Sequence, residues 1–292
     1  MGAILAALLL GGVLGGCESG GPIDAGPLPP YAELRESYNQ RIAGIDRLWA
    51  RTTVQVTHRD AEGDRQEDQG EGYVHFVEPD RVGLQVGKYV DRMYFHLGSD
   101  EGRYWWIDAL NEDDRIALVG EHATATPETA VEFGVPVHPL DLIQLLAITP
   151  LPAQEAGAVR WSEGRDAWLV DYPARFGSAT VRIDPRTFEA LGVVLRDATG
   201  EVAAESQLSR YRTIRRFSPG VPGSVAGQVE IDLPTIETEI RMDVYDPESN
   251  PRKPKKAVFD FDHLLEHYGV DRVVSVEEVM ESRRRSMEAS ER

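Results

Sequence analysis

The spacing His263-Leu264-Leu265-Glu266-His267 puts two imidazoles one helical turn apart with a carboxylate between them. This is the H-x-x-E-H arrangement in which paired histidines hold zinc and the glutamate serves as base. Such a site needs a third ligand from another element, and downstream Glu277 and Glu278 are the candidates. The segment is short and lies between an expected strand at 258–261 and Gly269, so it is read as a surface helical turn with exposed imidazoles, and no metal ligand is assigned. The acidic run DAEGDRQEDQGEG (60–72) lacks the Asp/Asn spacing and terminal Glu of an EF-hand calcium loop and is read as a solvated hairpin loop. Tyr104-Trp105-Trp106 offers rings for stacking a sugar. On a strand Trp105 and Trp106 face opposite sides, so core packing on one side and helix contact on the other is the simpler reading. No G-x-S-x-G elbow, P-loop or G-x-G-x-x-G fingerprint is present. With 49 acidic residues, close carboxylate pairs arise by chance. A protein without catalytic residues or cofactor is expected.

The elements that would position these residues are mostly strands. In GYVHFVEPDRVGLQVGKYVDRMYFHLGSDEGRYWWID (72–108), Val82, Leu84 and Val86 alternate with Arg81, Gly83 and Gln85, and Met93, Phe95 and Leu97 alternate with Arg92, Tyr94 and His96. Each segment therefore has one apolar and one wetter face, and Pro79-Asp80, Gly87-Lys88 and 98–102 supply the turns. The pattern predicts an antiparallel meander. Before it, 31–49 reads as an amphipathic helix with Leu34, Tyr38, Ile42, Ile45 and Leu48 or Trp49 on one stripe, followed by a β-branched strand at 52–58. After it, 115–120 is a strand, preceded by a turn at 111–114. DLIQLLAI, opened by His138-Pro139-Leu140 and stopped by Pro150 and Pro152, is a helix apolar nearly all round. Such a helix must be buried on more than one side and is read as a plug in the mouth of the sheet. Further strands are expected at 158–163, 167–172, 178–184, 189–197, 202–214, 228–233 and 238–245, with a loop at 220–227, a turn-rich basic link at 246–256, and a frayed helix or disordered tail at 277–292. Short strands with turns every eight to twelve residues or so argue for a barrel-like sheet.

The chain has 292 residues and a formal net charge of −18. That charge argues against nucleic acid as a partner, and the length suits one large β domain. The first sixteen residues, MGAILAALLLGGVLGG, are small and apolar, and 3–13 has the length of a signal-peptide core and not of a membrane span. Leu14-Gly15-Gly16-Cys17 resembles a bacterial lipobox, which implies a diacylglycerol and acyl anchor at Cys17. Cys17 is the sole cysteine, so no intramolecular disulfide can form. Glu18 after it implies export to an outer membrane rather than retention at an inner one. The Gly/Pro-rich 17–30 is read as a flexible tether, 31–274 as the folded domain and 275–292 as a charged tail.

Three stretches carry a family resemblance: GYVHFVEPDRVGLQ (72–85), LGSDEGRYWW (97–106) and PLDLIQLL (139–146). They resemble the LolA/LolB-like lipoprotein-carrier superfamily, the first its strand, x-x-P-x-R-hydrophobic, strand unit and the last its helix over the concave face. The resemblance implies a mainly β (α+β) fold, an incomplete antiparallel β-barrel of about eleven strands with covering helices. It also implies a hydrophobic cavity for acyl chains of lipids or lipoproteins. Expected lining residues are Leu84, Val86, Phe95, Leu97, Leu142, Leu145, Leu146 and Met242. Two functions follow: a membrane-anchored, monomeric cell-envelope lipoprotein for lipoprotein localisation or lipid transfer, or a non-transporting envelope scaffold or sensor with a protein partner.

Overall fold

The computed structural model describes residues 27–60, 62–88, 93–110, 114–126, 138–153, 157–164, 166–217, 219–220, 222–250 and 252–290. The expected signal peptide, Cys17 and most of the expected tether lie outside the described residues, as do most of the expected 111–114 turn and the Met93 side chain. Helix α1 (Tyr31–Ile42) buries Leu34, Tyr38 and Ile42, as the stripe predicted. It stops sooner than expected, because the β-branched run Thr52, Thr53, Val54, Val56, Thr57 favours an extended chain. Strand β1 (Arg47–Arg59) therefore begins before Trp49, and Ile45 and Leu48 are buried from a turn and a strand.

The meander is β2 (Arg65–Val77), β3 (Arg81–Gly87), β4 (Met93–Ser99), β5 (Arg103–Asp108) and β6 (Ile116–Glu121), each antiparallel to the next. Most of the acidic run expected as a loop is strand: β2 pairs with β1 out to Arg59↔Arg65. The turn is confined to 60–64, where Asp60 Oδ1 accepts the N–H groups of Glu62 (3.1 Å) and Asp64 (2.8 Å). Gly72 lets β2 approach β3, since a Cβ there would lie 1.7 Å from the Gln85 carbonyl oxygen.

The second half comprises β7 (Arg160–Trp161), β8 (Trp168–Ala174), β9 (Gly177–Ile183), β10 (Ala190–Arg196) and β11 (Val202–Ser209), then β12 (Arg212–Thr213), β13 (Arg215–Arg216), β14 (Ser224–Val225), β15 (Gln228–Leu233) and β16 (Thr238–Ser249). The strand expected over 202–214 breaks at Arg210, which has φ 56°. Strand β17 (Arg272–Ser275) closes the list, parallel to β6. Among the described residues a 15-stranded sheet runs β17-β6-β5-β4-β3-β2-β1-β16-β15-β11-β10-β9-β8-β7, with β13 alongside β16, and its two ends do not pair. It is an incomplete antiparallel barrel, as expected, with more short strands than the sequence showed.

Two expectations near the C-terminus are corrected. Strand β16 extends into the link expected at 246–256. The expected strand at 258–261 is a 3-10 turn (Lys256–Phe259) leading into helix α3 (Phe261–Tyr268), because Asp260 caps the His263 N–H at 3.1 Å. Gly269, with φ 60°, ends that helix. Of the frayed helix or disordered tail expected at 277–292, the structure has a helix, α4 (Val276–Ser290), which follows β17; its first residue is buried beside Tyr104 and Ala125.

Helix α3 covers the outer face of the meander. Phe261, Leu264 and Tyr268 pack on Trp105, Ile107 and Ala117, so the expected wetter face is largely dry there. Beneath the helix His75 Nε2 donates to Gln85 Oε1 (3.3 Å), Gln85 Nε2 donates to Tyr268 Oη (3.1 Å), and His96 Nδ1 lies 3.4 Å from Tyr268 Oη. Burial lowers the imidazole of His75 to about 4 and that of His96 to about 3. The unfolded chain therefore binds more protons than the native one below pH 6.5, and stability present above that pH is lost as pH falls through the folded values. The melting temperature should fall between pH 6.5 and 4, and more shallowly in His96→Phe. A flat profile across that window would contradict these buried neutral imidazoles.

Candidate functional site on the inner face

Opposite α3, the inner face of the sheet carries one continuous apolar cluster drawn from both halves. Helix α2 (Pro139–Leu145) lies in it, packed against β3 and β4 from one half and β10 and β11 from the other. Its start follows the sequence: Pro139 occupies the first turn and His138 Nδ1 accepts the Leu140 N–H at 3.2 Å. Its end comes earlier than the prolines suggested, since Ala147 adopts φ 52°. That turn aims the last carbonyls at partners. Ser206 Oγ donates to the Leu145 carbonyl (2.7 Å), and Tyr38 Oη (3.1 Å) and Arg41 Nη2 (2.7 Å) both donate to the Ala147 carbonyl. The open C-terminal end of a buried helix is thereby satisfied by β11 and α1.

All eight expected lining residues belong to this cluster. Leu84, Val86, Leu97, Leu142, Leu145, Leu146 and Met242 are buried and Phe95 is half-buried. Leu84 lies opposite Leu97 and Val86 opposite Phe95 across β3 and β4. Phe95 stacks on Trp106 with centroids 4.4 Å apart, and Trp106 pairs with Leu118 on β6. These three side chains are incompletely buried, so the floor on the β4–β6 side is less covered than the part under α2. The two tryptophans divide as predicted: Trp106 faces inward, and Trp105 lies on the outer face 5.3 Å from Phe261. The covering helix there is α3, not α1.

A polar group at the rim was not foreseen. Tyr104 lies 4.5 Å from His138 and 5.9 Å from His122, and Arg175 Nη1 donates to the His122 carbonyl at 3.2 Å. Burial holds His138 well below the ordinary imidazole value, reinforced by Arg175 and His122. In the first turn of α2, burial pushes the Asp141 carboxyl up to about 7, opposed by Arg175. No spacing signal marks these residues in the sequence, since they come from a strand end, a helix cap and the β8–β9 turn.

The rings of His263 and His267 are exposed and stacked 6.1 Å apart. Glu277, one of the two third-ligand candidates, instead accepts from the Glu121 N–H (3.0 Å), Thr124 Oγ1 (2.6 Å) and Ser275 Oγ (2.8 Å). Among the described residues no group of three or more His, Cys, Asp or Glu is arranged to hold a metal, and no helix is long and apolar enough to cross a membrane.

Solved structures share this architecture. A LolA superfamily protein from Nitrosomonas europaea superposes with a TM-score of 0.50 at 9% identity, over 81% of this chain and 100% of its own. The fold is LolA/LolB-like. A domain named for outer membrane lipoprotein sorting from Vibrio parahaemolyticus gives 0.52 at 11% identity, over 80% of this chain and 97% of its own. A DUF1329 family protein from Desulfovibrio piger gives 0.51 at 12%, over 81% and 100%. No family model matches the chain, and no curated protein matches it.

In this LolA-like fold the Ser206 hydroxyl is a fastening of α2 that the sequence did not announce, since it also accepts the Val193 N–H at 3.1 Å. Ser206→Ala should cost about 1–3 kcal/mol of stability. Amide exchange should quicken over 140–148 more than in the flanking strands. Unchanged exchange in that helix would show that Ser206 does not hold it.

Proposed function

We propose that this chain is a cell-envelope lipoprotein, acylated at Cys17, whose inner face accepts the acyl chains of lipids or lipoproteins for lipoprotein localisation or lipid transfer. It binds rather than catalyses. The observation that carries this is α2, a seven-residue helix lying in an apolar half-barrel and touching both halves of the sheet. Here its apolar side chains occupy the volume an acyl chain would take. Exchange is physically feasible because each methylene hidden from water contributes about 0.8 kcal/mol, which offsets the apolar packing that α2 gives up when it moves. The half-buried floor of Phe95, Trp106 and Leu118 is where a chain would first find apolar surface. The lipobox and tether support anchoring, with an outer membrane favoured by Glu18. The likeness to a lipoprotein-sorting domain supports the cargo class.

A second reading is favoured by how fully α2 is buried, with Leu145 at 0% exposure. In that case the helix is a fixed part of the core, and the domain is an envelope scaffold or sensor with a protein partner. The two separate in titrations of a fluorescent acyl probe into the full chain carrying Cys17→Ala. The carrier reading expects saturable binding, weakened at least about tenfold by Phe95→Arg, which puts a guanidinium on the apolar floor. Leu142→Asn and Leu146→Asn should change probe affinity while the domain still melts cooperatively. Absence of saturable uptake, together with unfolding of both Asn variants, would favour the scaffold.

A further inference from the structure

Two segments far apart in sequence concentrate positive charge in a chain of net charge −18. RYRTIRRF (210–217) holds four arginines and RKPKK (252–256) four lysines and arginines, and neither contains an acid. The fold brings them together. Strand β13 pairs parallel with the end of β16, placing Arg215 beside Glu248. The buried Glu248 carboxylate then takes Arg215 at 2.6 Å and Lys253 at 2.9 Å, pinning both segments to one place.

Aromatic rings are interleaved with these cations on the outward side of β1, β2 and β16. Arg51 lies in register between Tyr73 and Tyr245 and pairs with the exposed Asp246 carboxylate, and the next row runs His75, Trp49, Glu248, Arg215. Lys253 Nζ sits 3.8 Å over Trp49, Arg215 5.1 Å over Phe217 and Arg212 5.5 Å over Tyr245. The rings are not hidden by this: Phe217 is 53% exposed, Tyr73 40% and Tyr245 36%. Large exposed rings beside clustered cations are the composition of a headgroup-level interface, where the ring is partly apolar and the charge meets phosphate.

We propose that this face docks on an anionic phospholipid bilayer. Of the acids within the face, Glu248 is taken up by Arg215 and Lys253 and Asp246 by Arg51; charges more than about 10 Å away are screened at moderate salt, and acidic faces turned to the surface are repelled, which orients the chain. Nucleic acid offers the same phosphate, and an acidic protein segment offers carboxylates. A bilayer is favoured by the exposed Phe217 and by the envelope reading above, on which the choice of surface rests. With the basic face down, the membrane contact is made by 210–217, 252–256 and the rings of Trp49, Tyr73 and Tyr245 beside them, leaving the inner face free to exchange cargo.

The test is co-sedimentation of the full chain carrying Cys17→Ala, which removes the acylation site, with vesicles of phosphatidylglycerol and phosphatidylcholine or of phosphatidylcholine alone. The comparison is with the same chain bearing Arg210→Ser, Arg252→Ser, Lys255→Ser and Lys256→Ser, which leaves Arg215 and Lys253 on Glu248. Binding to the phosphatidylglycerol vesicles should be lost at high salt and be at least about tenfold weaker in the fourfold variant. The melting temperature and acyl-probe uptake of that variant should be unchanged. Equal binding to both vesicle types, equal binding by both chains, or salt-insensitive binding would overturn the proposal. So would a preference for DNA or for an acidic peptide over the vesicles. If the fourfold variant does not fold, the salt and lipid-composition arms on the parent chain still decide. Failure of probe uptake alone bears on the inner face and leaves this surface standing.

Discussion

One antiparallel pair, β1 with β16, joins the two halves of the sheet, and everything facing inward depends on it. Its register runs from Trp49↔Glu248 to Thr57↔Glu239 and sets Val54 against Met242 on the inner side. Without that pairing the meander and the second half would each present an apolar face with no partner, which a single-layer sheet cannot sustain in water. With it, the two faces become one trough, and covering that trough becomes the remaining requirement. Helices α1 and α2 meet it jointly: Tyr38 and Arg41 of α1 hold the Ala147 carbonyl just beyond α2, and Asn39 exchanges hydrogen bonds with the Leu151 backbone.

The same pair organises the outer side. The rows that set leucine and valine inward set Arg51, Trp49, Tyr73 and Tyr245 outward, because successive side chains on a strand alternate faces. The central strands thus link an apolar interior to an exterior of rings and charges of both signs, while α3 seals the outer face of the meander over Trp105 and Ile107. The proposed acyl site and the proposed membrane contact would then lie on opposite faces of one sheet.

Much of the trough was legible in the sequence, since it is written in short-range periodicity. Alternation at Val82, Leu84 and Val86 reports the inner face directly, and DLIQLLAI has too few polar residues to be anything but enclosed. Boundaries were less legible where local preference and tertiary pairing compete. The 31–49 stripe continues at helical spacing through Leu48, yet β1 claims that residue because the strand pairs on both sides, with β2 and β16. Phe259 and Phe261 resemble a strand until Asp260 is seen to cap a helix. The rim cluster of His122, His138 and Arg175 and the meeting of the two basic segments were illegible for a different reason. Both are made by long-range topology, and neither leaves a spacing for a sequence to display.

In the function proposed above, α2 is the removable filler of an acyl-binding trough. That role is tested most directly by hydrogen exchange on the full chain carrying Cys17→Ala, with and without a saturating long-chain fatty acid. Amides over 140–148 should lose protection when the acyl chain is present, while β10 and β11 keep theirs. Unaltered protection of α2 at saturation would contradict it and make the helix a fixed part of the core.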